Sequence, residues 1–191
     1  KLKYNKLTGV STEEMHAASV DMANDTIVLL KNEDGILPVG AKVQAAVIGD
    51  FAFDPRYQGA GSSMVNSTKV DSIKDMLETS GISVTGIVRG YQRDGKEDET
   101  MKKEAVDLAR RSDVVLFFFG LNEKSETEGL DRKHLRIPQN QINLIQELAK
   151  ANANMIGIIS AGSVIEMPWH HHFKALLHTA LMGQAGAGAV L

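Results

Sequence analysis

Short apolar segments alternate along the chain with longer segments in which apolar residues recur at helical spacing. The apolar segments lie at 43–49, 113–120 and 155–159, with weaker ones at 81–87 and 174–178. They are continuous rather than alternating, which is typical of strands that are buried on both faces of a sheet. The five segments therefore predict the strands of a mainly parallel sheet.

Segments with a helical period separate these strands. We predict helices over 12–31, 71–80, 100–111 and 139–151, the first of them capped by Ser11 or Thr12. Alternation of short apolar strands with helices is typical of a parallel sheet that is covered on both faces. The fold class predicted is therefore α/β, a sheet sandwiched between helices in a three-layer α/β/α arrangement.

Three predicted loops, at 50–66, 120–137 and 160–172, are longer than a connection from strand to helix requires. In open α/β sheets the functional residues lie in loops that leave the carboxyl ends of the strands. We therefore expect these loops to form one rim that faces a ligand or partner. The last segment, 183–191, has the pattern of a loop entering a new helix, so we expect residues 1–191 to be a single domain truncated at its C-terminus.

Composition narrows the classes of partner. Hydrophobic residues make up 43 % and charged residues 24 % of the chain, as in ordinary globular proteins. A net charge of −3 gives no basic surface for nucleic acid and no polybasic segment for a membrane, and no apolar run reaches the ~18 residues that span a bilayer. Cysteine is absent, which excludes disulfides and thiolate chemistry. No signal peptide is recognisable, which favours the cytoplasm slightly.

The loop at 120–137 carries the densest group of charged side chains, namely Glu126, Glu128, Asp131 and Arg132. A carboxylic acid that protonates a leaving oxygen must be neutral near pH 7, which requires apolar surroundings or a neighbouring negative charge. The two glutamates together meet the second condition, and Arg132 could hold the other carboxylate ionised. The residues alone fit a solvated acidic loop better, because charged loops are common.

Other motifs have a structural explanation beside a chemical one. The glycine-rich segment 58–63 follows the first strand but matches neither GxxxxGK[ST] nor GxGxxG, which argues against a nucleotide site. Residues 170–172 are three adjacent histidines, which cannot all face one ion from regular structure, so we predict no metal site. Trp169 can stack on a sugar or pack in the core. Ser163 does not lie in a GxSxG elbow, so a serine triad has little support.

These segments in this order resemble glycoside hydrolase family 3. The matching residues are 16–23, 26–33, 37–39, 46–49, 59–63, 128–132, 137–138 with Gln141, 167–169 and 183–184. The resemblance covers nearly all 191 residues and is to the second, C-terminal α/β domain of these enzymes. Asn24 and Asp25 depart from the family pattern without affecting a catalytic role. The (β/α)₈ barrel that precedes this domain in the family, with the nucleophilic aspartate, is absent from these residues.

The resemblance implies a retaining mechanism at the non-reducing end of a β-linked sugar. Retention needs a general acid/base from this domain, and by position Glu126 matches best, with Glu128 as second candidate and otherwise a substrate-binding residue. Ser62 matches a position that can touch the sugar beside the scissile bond. The partners implied are a β-linked oligosaccharide or glycoside and the missing barrel domain. Neither a cofactor nor a metal is implied, and β-glucosidase is the family's commonest activity.

Two functions from other classes stay open at this point. The first is a nucleotide-binding or flavodoxin-like domain, which the alternation of strands and helices also fits. The second is a non-catalytic carbohydrate-binding or scaffold fragment. A barrel with a late-strand aspartate upstream of these residues would favour the glycosidase, because neither alternative needs one.

Overall fold

The computed structural model describes residues 9–191, in which one six-stranded sheet lies between two layers of helices. The elements in chain order are α1 (Thr12–Thr26), β1 (Val28–Asn32), β2 (Ala45–Ile48), α2 (Ile73–Ser80), β3 (Val84–Val88), α3 (Glu99–Arg110), β4 (Val114–Gly120), α4 (Gln139–Ala151), β5 (Met155–Ser160), β6 (Ala175–His178) and α5 (Gly186–Val190). The sheet order is β1-β6-β5-β4-β2-β3, and only the pair β1–β6 is antiparallel. The predicted three-layer α/β/α fold is confirmed. None of the helices within these residues is long and apolar enough to cross a membrane.

The first predicted helix, 12–31, was too long. α1 begins with a capping box between Ser11 and Glu14 but ends at Thr26, and the next residues form β1 against the free side of β6. Residues 26–30 are β-branched or leucine, so they satisfy a helical and an extended pattern equally well. The extended conformation forms because the backbone groups of β6 are available for pairing. β6 lies far away in the sequence, so the segment itself does not reveal this partner.

The core has two parts, one on each face of the sheet. In β4 every residue is buried, and successive side chains point to opposite faces. Phe117 and Phe119 pack with α3 and α4, whereas Leu116 and Phe118 pack with α2 and α5. Trp169 is 3 % exposed and meets Phe119 edge-on at a ring separation of 5.0 Å. It is therefore a core residue and does not present a face to a sugar.

Helix α1 is attached to the sheet domain by a polar cluster. His16 donates from Nε2 to Asp71 at 2.6 Å, and its Nδ1 accepts from the Gln184 amide at 3.2 Å. Lys69 lies 3.2 Å from the same aspartate. Burial raises the pKa of Asp71, but the hydrogen bonds and charges of His16 and Lys69 outweigh it and lower the pKa below its ordinary value of 3.8.

The lowered pKa gives Asp71 a pH-dependent part in stability. A carboxylate with a depressed folded pKa stabilises the fold fully above its unfolded pKa, and that contribution is lost as pH falls through the folded value. The difference in free energy of unfolding between the unchanged chain and Asp71→Asn is therefore expected to be larger above the ordinary value of 3.8 and to shrink as pH falls below it. Urea denaturation across this range measures the difference, and one that is independent of pH would contradict the assignment.

Candidate functional site

Three long loops lie along the carboxyl edge of the sheet. They are the β2 loop (residues 49–66), the β4 loop (121–138) and the β5 loop (161–172). Because β2, β4 and β5 are adjacent and parallel, their loops leave on the same side, as predicted. Together they line an open depression of about 560 Å³. Candidate chemistry from all three loops therefore converges at one place.

Glu126 points inward at the junction of the three loops. Its Oε1 accepts from the Ser163 hydroxyl at 2.7 Å, and its Oε2 accepts from the backbone N–H of Gly162 at 3.2 Å. Arg56 of the β2 loop donates to Oε2 from 3.4 Å. The side chains of Glu126 and Arg56 are only 8 % and 1 % exposed. Both oxygens of this carboxylate are thus already engaged by the protein.

Glu128 lies beside the same depression, between Thr127 and Leu130, which line it. Glu128 is exposed, and its Oε2 accepts a hydrogen bond from the hydroxyl of Ser62. An isolated parallel bridge between Ala60 and Thr127 joins the two loops beside it. Gly61 has φ +76°, and a Cβ there would lie 3.3 Å from the Cβ of Glu128, so the absence of a side chain lets the loops approach.

Arg132 does not have the role predicted for it. Its Nη1 donates to the Ser163 hydroxyl at 2.7 Å and to the carbonyl of Val164 at 3.0 Å. Neither glutamate is among its partners, because the guanidinium reaches across to the β5 loop. The cation beside a carboxylate in this site is Arg56, which lies in another loop.

The histidines at 170–172 form a short 3-10 turn on the surface. The Nδ1 atoms of His170 and His171 each lie 2.9 Å from a backbone carbonyl, those of Met167 and Pro168. Burial, with the charge of His171 second, lowers the pKa of His172. The turn lies after Trp169 and closes the core, which is a structural role.

Comparison with known proteins identifies the family to which this domain belongs. The sequence pattern of the glycosyl hydrolase family 3 C-terminal domain matches residues 27–191. The chain belongs to glycosyl hydrolase family 3. The domain superposes on the crystal structure of a family 3 β-glucosidase of Bifidobacterium adolescentis with a TM-score of 0.91 at 40 % identity, covering 97 % of this chain and 27 % of the other.

Curated relatives of this family 3 domain have two activities in their names. An exo-α-(1→6)-L-arabinopyranosidase of Bifidobacterium breve is 41 % identical over 93 % of this chain. A thermostable β-glucosidase B of Acetivibrio thermocellus is 39 % identical over 92 % of this chain. The chain spans 24 % of the length of each, about a quarter. The matched region is thus a minor part of these longer enzymes.

Sequence reasoning about the family 3 domain missed a set of ion pairs under the rim. Asp50, next to the glycine that follows β2, is buried and accepts hydrogen bonds from Arg89 and Arg93. Arg93 in turn lies 3.0 Å from Glu123 at the start of the β4 loop. Burial lowers the pKa of Arg89, but its hydrogen bonds to Asp54 and Asp50 outweigh this and raise it. The sequence did contain one indication of this cluster, because Asp50 is a charged residue just after a buried strand.

Proposed function

We propose that this chain is the part of a retaining β-glycosidase that supplies the general acid/base from the β4 loop. The observation that carries the proposal is the exposed carboxylate of Glu128 beside Ser62, on the rim of a family 3 domain. A second domain with the nucleophile is needed to complete the site. The activity, substrate and barrel partner are all part of this proposal.

Geometry favours Glu128 over Glu126 as the acid/base, which reverses the order of preference from the sequence. A general acid must come within about 2.6–3.2 Å of the oxygen that it protonates. Glu126 lines the depression, but its side chain is only 8 % exposed and its carboxylate already accepts hydrogen bonds from two loops. Glu128 is exposed where a substrate oxygen can approach. We therefore propose Glu128 as acid/base and Glu126 as an anchor of the loop.

Large apolar side chains around the depression support a docked partner domain. Leu130, Leu135 and Val164 line the depression and are exposed, and Met64 and Val65 of the β2 loop are exposed as well. When exposed apolar side chains are gathered in one patch, that patch often marks a surface that binds another protein or domain. Retention requires two carboxyl groups about 5–5.5 Å apart across the sugar. A barrel docked on this rim would bring its aspartate opposite Glu128.

The proposed reaction has two balanced steps. Glu128 protonates the glycosidic oxygen while the barrel aspartate attacks the anomeric carbon, which releases the alcohol and leaves a glycosyl ester. Glu128, now a carboxylate, takes a proton from water as that water attacks the anomeric carbon and frees the aspartate. The Ser62 hydroxyl, which donates to the carboxylate in the free domain, would orient it through both steps.

A nucleotide-binding function is less well supported. The glycine-rich segment 58–63 would have to cradle phosphate with its backbone N–H groups. Its Gly61 packs instead against Glu128, whose carboxylate accepts from Ser62. A negative charge at the mouth of the loop would repel a phosphate. The same contact fits a loop that serves the acid/base.

The full-length protein provides the test of the proposed function. We expect it to hydrolyse an aryl β-D-glucoside with retention, which NMR detects as a first-formed β-anomer. An aryl α-L-arabinopyranoside should be assayed as a second substrate, because one relative is named as an arabinopyranosidase and another as a β-glucosidase, and the two are similarly identical to this chain, at 41 % and 39 %. Residues 1–191 alone are expected to give no turnover, since they hold only one of the two carboxylates. Inversion by the full-length enzyme, or turnover by the purified domain, would contradict the proposal.

A further inference from the structure

We propose that Arg56 is a positioning residue that holds the acid/base in place through Glu126. The inference rests on the proposed function, in which Glu128 protonates the leaving group. Arg56 lines the depression and contacts Glu126, but it makes no hydrogen bond or ion pair with Glu128. Its effect would pass through the backbone of the β4 loop.

Arg56 is unusual because its charge is almost completely buried. The guanidinium reaches Glu126 at 3.4 Å, while Glu123 is 4.0 Å from its Nε, which has no hydrogen-bond partner. A buried guanidinium is costly unless it is paired and hydrogen-bonded, so a cation held there with loose partners indicates a role other than stability. The acidic 3-10 turn Glu123–Glu126 is the element on which its charge acts.

The β2 loop holds three consecutive residues of the β4 loop. Arg56 pairs with Glu126, Ala60 forms the parallel bridge with Thr127, and Ser62 donates to Glu128. On its other side the Glu126 carboxylate is held by the backbone and hydroxyl donors of the β5 loop. Segment 126–128 is thus fixed at both of its ends and at its middle.

The distance between anchor and acid/base makes the coupling direct. Two residues of extended chain span at most about 7 Å, so only two peptide units separate the anchored Glu126 from Glu128 and a shift of one is passed on to the other. A displacement of about 1 Å from the productive geometry costs up to roughly 100-fold in rate. Loss of the Arg56 contact would therefore weaken proton transfer without removing the carboxylate that performs it.

Leaving groups separate this role from a merely structural one. Glycosylation needs the acid when the leaving group is an alkyl alcohol, but dinitrophenolate leaves without a proton. A misplaced acid therefore lowers kcat/KM selectively for alkyl glycosides. A loss of folded enzyme lowers kcat/KM by the same factor for every substrate.

The test uses the full-length enzyme with Arg56→Met, Glu126→Gln and the double variant. Removing Arg56 alone leaves a buried carboxylate unpaired and can impair folding, whereas the double variant leaves no unpaired charge. Arg136→Met is the matched control, because Arg136 is an exposed arginine of the β4 loop that pairs with Glu166 at 3.1 Å. Hydrogen exchange of residues 123–128 is followed in all four proteins.

We expect the double variant to fold and to lose roughly 10- to 100-fold in kcat/KM for an alkyl glycoside but less than about threefold for the dinitrophenyl glycoside. Amides at 123–128 should exchange faster than in Arg136→Met. Equal losses on both substrates, unchanged exchange with full activity, or rescue of the double variant by azide, which would make Glu126 the acid/base itself, would overturn the inference. If the unchanged enzyme cleaves no glycoside, the proposed function fails, while exchange still reports whether Arg56 holds the loop.

Discussion

Replacing Glu128 by alanine in the full-length enzyme is expected to reduce kcat/KM for alkyl and nitrophenyl glycosides by roughly 10²–10⁴-fold. General acid–base assistance is worth about this factor, and both proposed steps depend on the same carboxylate. With a dinitrophenyl glycoside the first step needs no acid, so the glycosyl-enzyme should accumulate. Azide, which attacks without general base assistance, should restore turnover and give a glycosyl azide.

The matched variant is Glu126→Ala, two positions away in the same loop. It should also lose activity, because it releases the contacts to Arg56, Gly162 and Ser163. Azide should not rescue it, since its acid/base would still be present. Rescue of Glu126→Ala and not of Glu128→Ala would restore the assignment made from the sequence. If azide rescues neither variant, the acid/base lies outside this loop.

The fold was predictable because its strands and helices carry strong local patterns. All five strands predicted from apolar segments are present, and three of the four helices lie within two residues of the predicted bounds. The exception is the end of the first predicted helix, where residues 28–31 form a strand only because β6 offers them an unpaired edge. A pairing partner more than a hundred residues away leaves no signal in the segment itself.

The site was only partly predictable, for a related reason. The sequence places Glu126, Glu128 and Ser62 on loops at the carboxyl edge, where the structure also has them. It does not determine which way each side chain points, and that direction separates the largely buried Glu126 from the exposed Glu128. Arg56 was missed because its partner in the site, Glu126, lies 70 positions later in the sequence. Pairing across loops depends on the assembled sheet.

The ends of β2 and β4 depend on two glycines that admit no side chain. Gly49 has φ +130° and Gly120 has φ +146°, and a Cβ on either would overlap a carbonyl oxygen of the neighbouring strand, that of Phe118 or Ser160. Backbone atoms of a central parallel strand cannot move aside without breaking the ladder of hydrogen bonds. The β2 loop begins at Gly49, and the β4 loop begins directly after Gly120.

Gly120→Ala is therefore expected to destabilise the domain by about 4 kcal/mol or more, at the extreme of single substitutions. Gly95→Ala is the matched control, because Gly95 also has a positive φ of +89° but nothing within 4 Å of its Cβ position. The control should lose only the about 1–3 kcal/mol that a strained backbone costs. Urea denaturation of residues 1–191 measures the free energy of unfolding of both variants. If only Gly120→Ala fails to show a cooperative unfolding transition, that result agrees with the expectation. Equal losses of stability in the two variants would contradict the expectation. They would mean that β5 can shift to accommodate the methyl group at position 120.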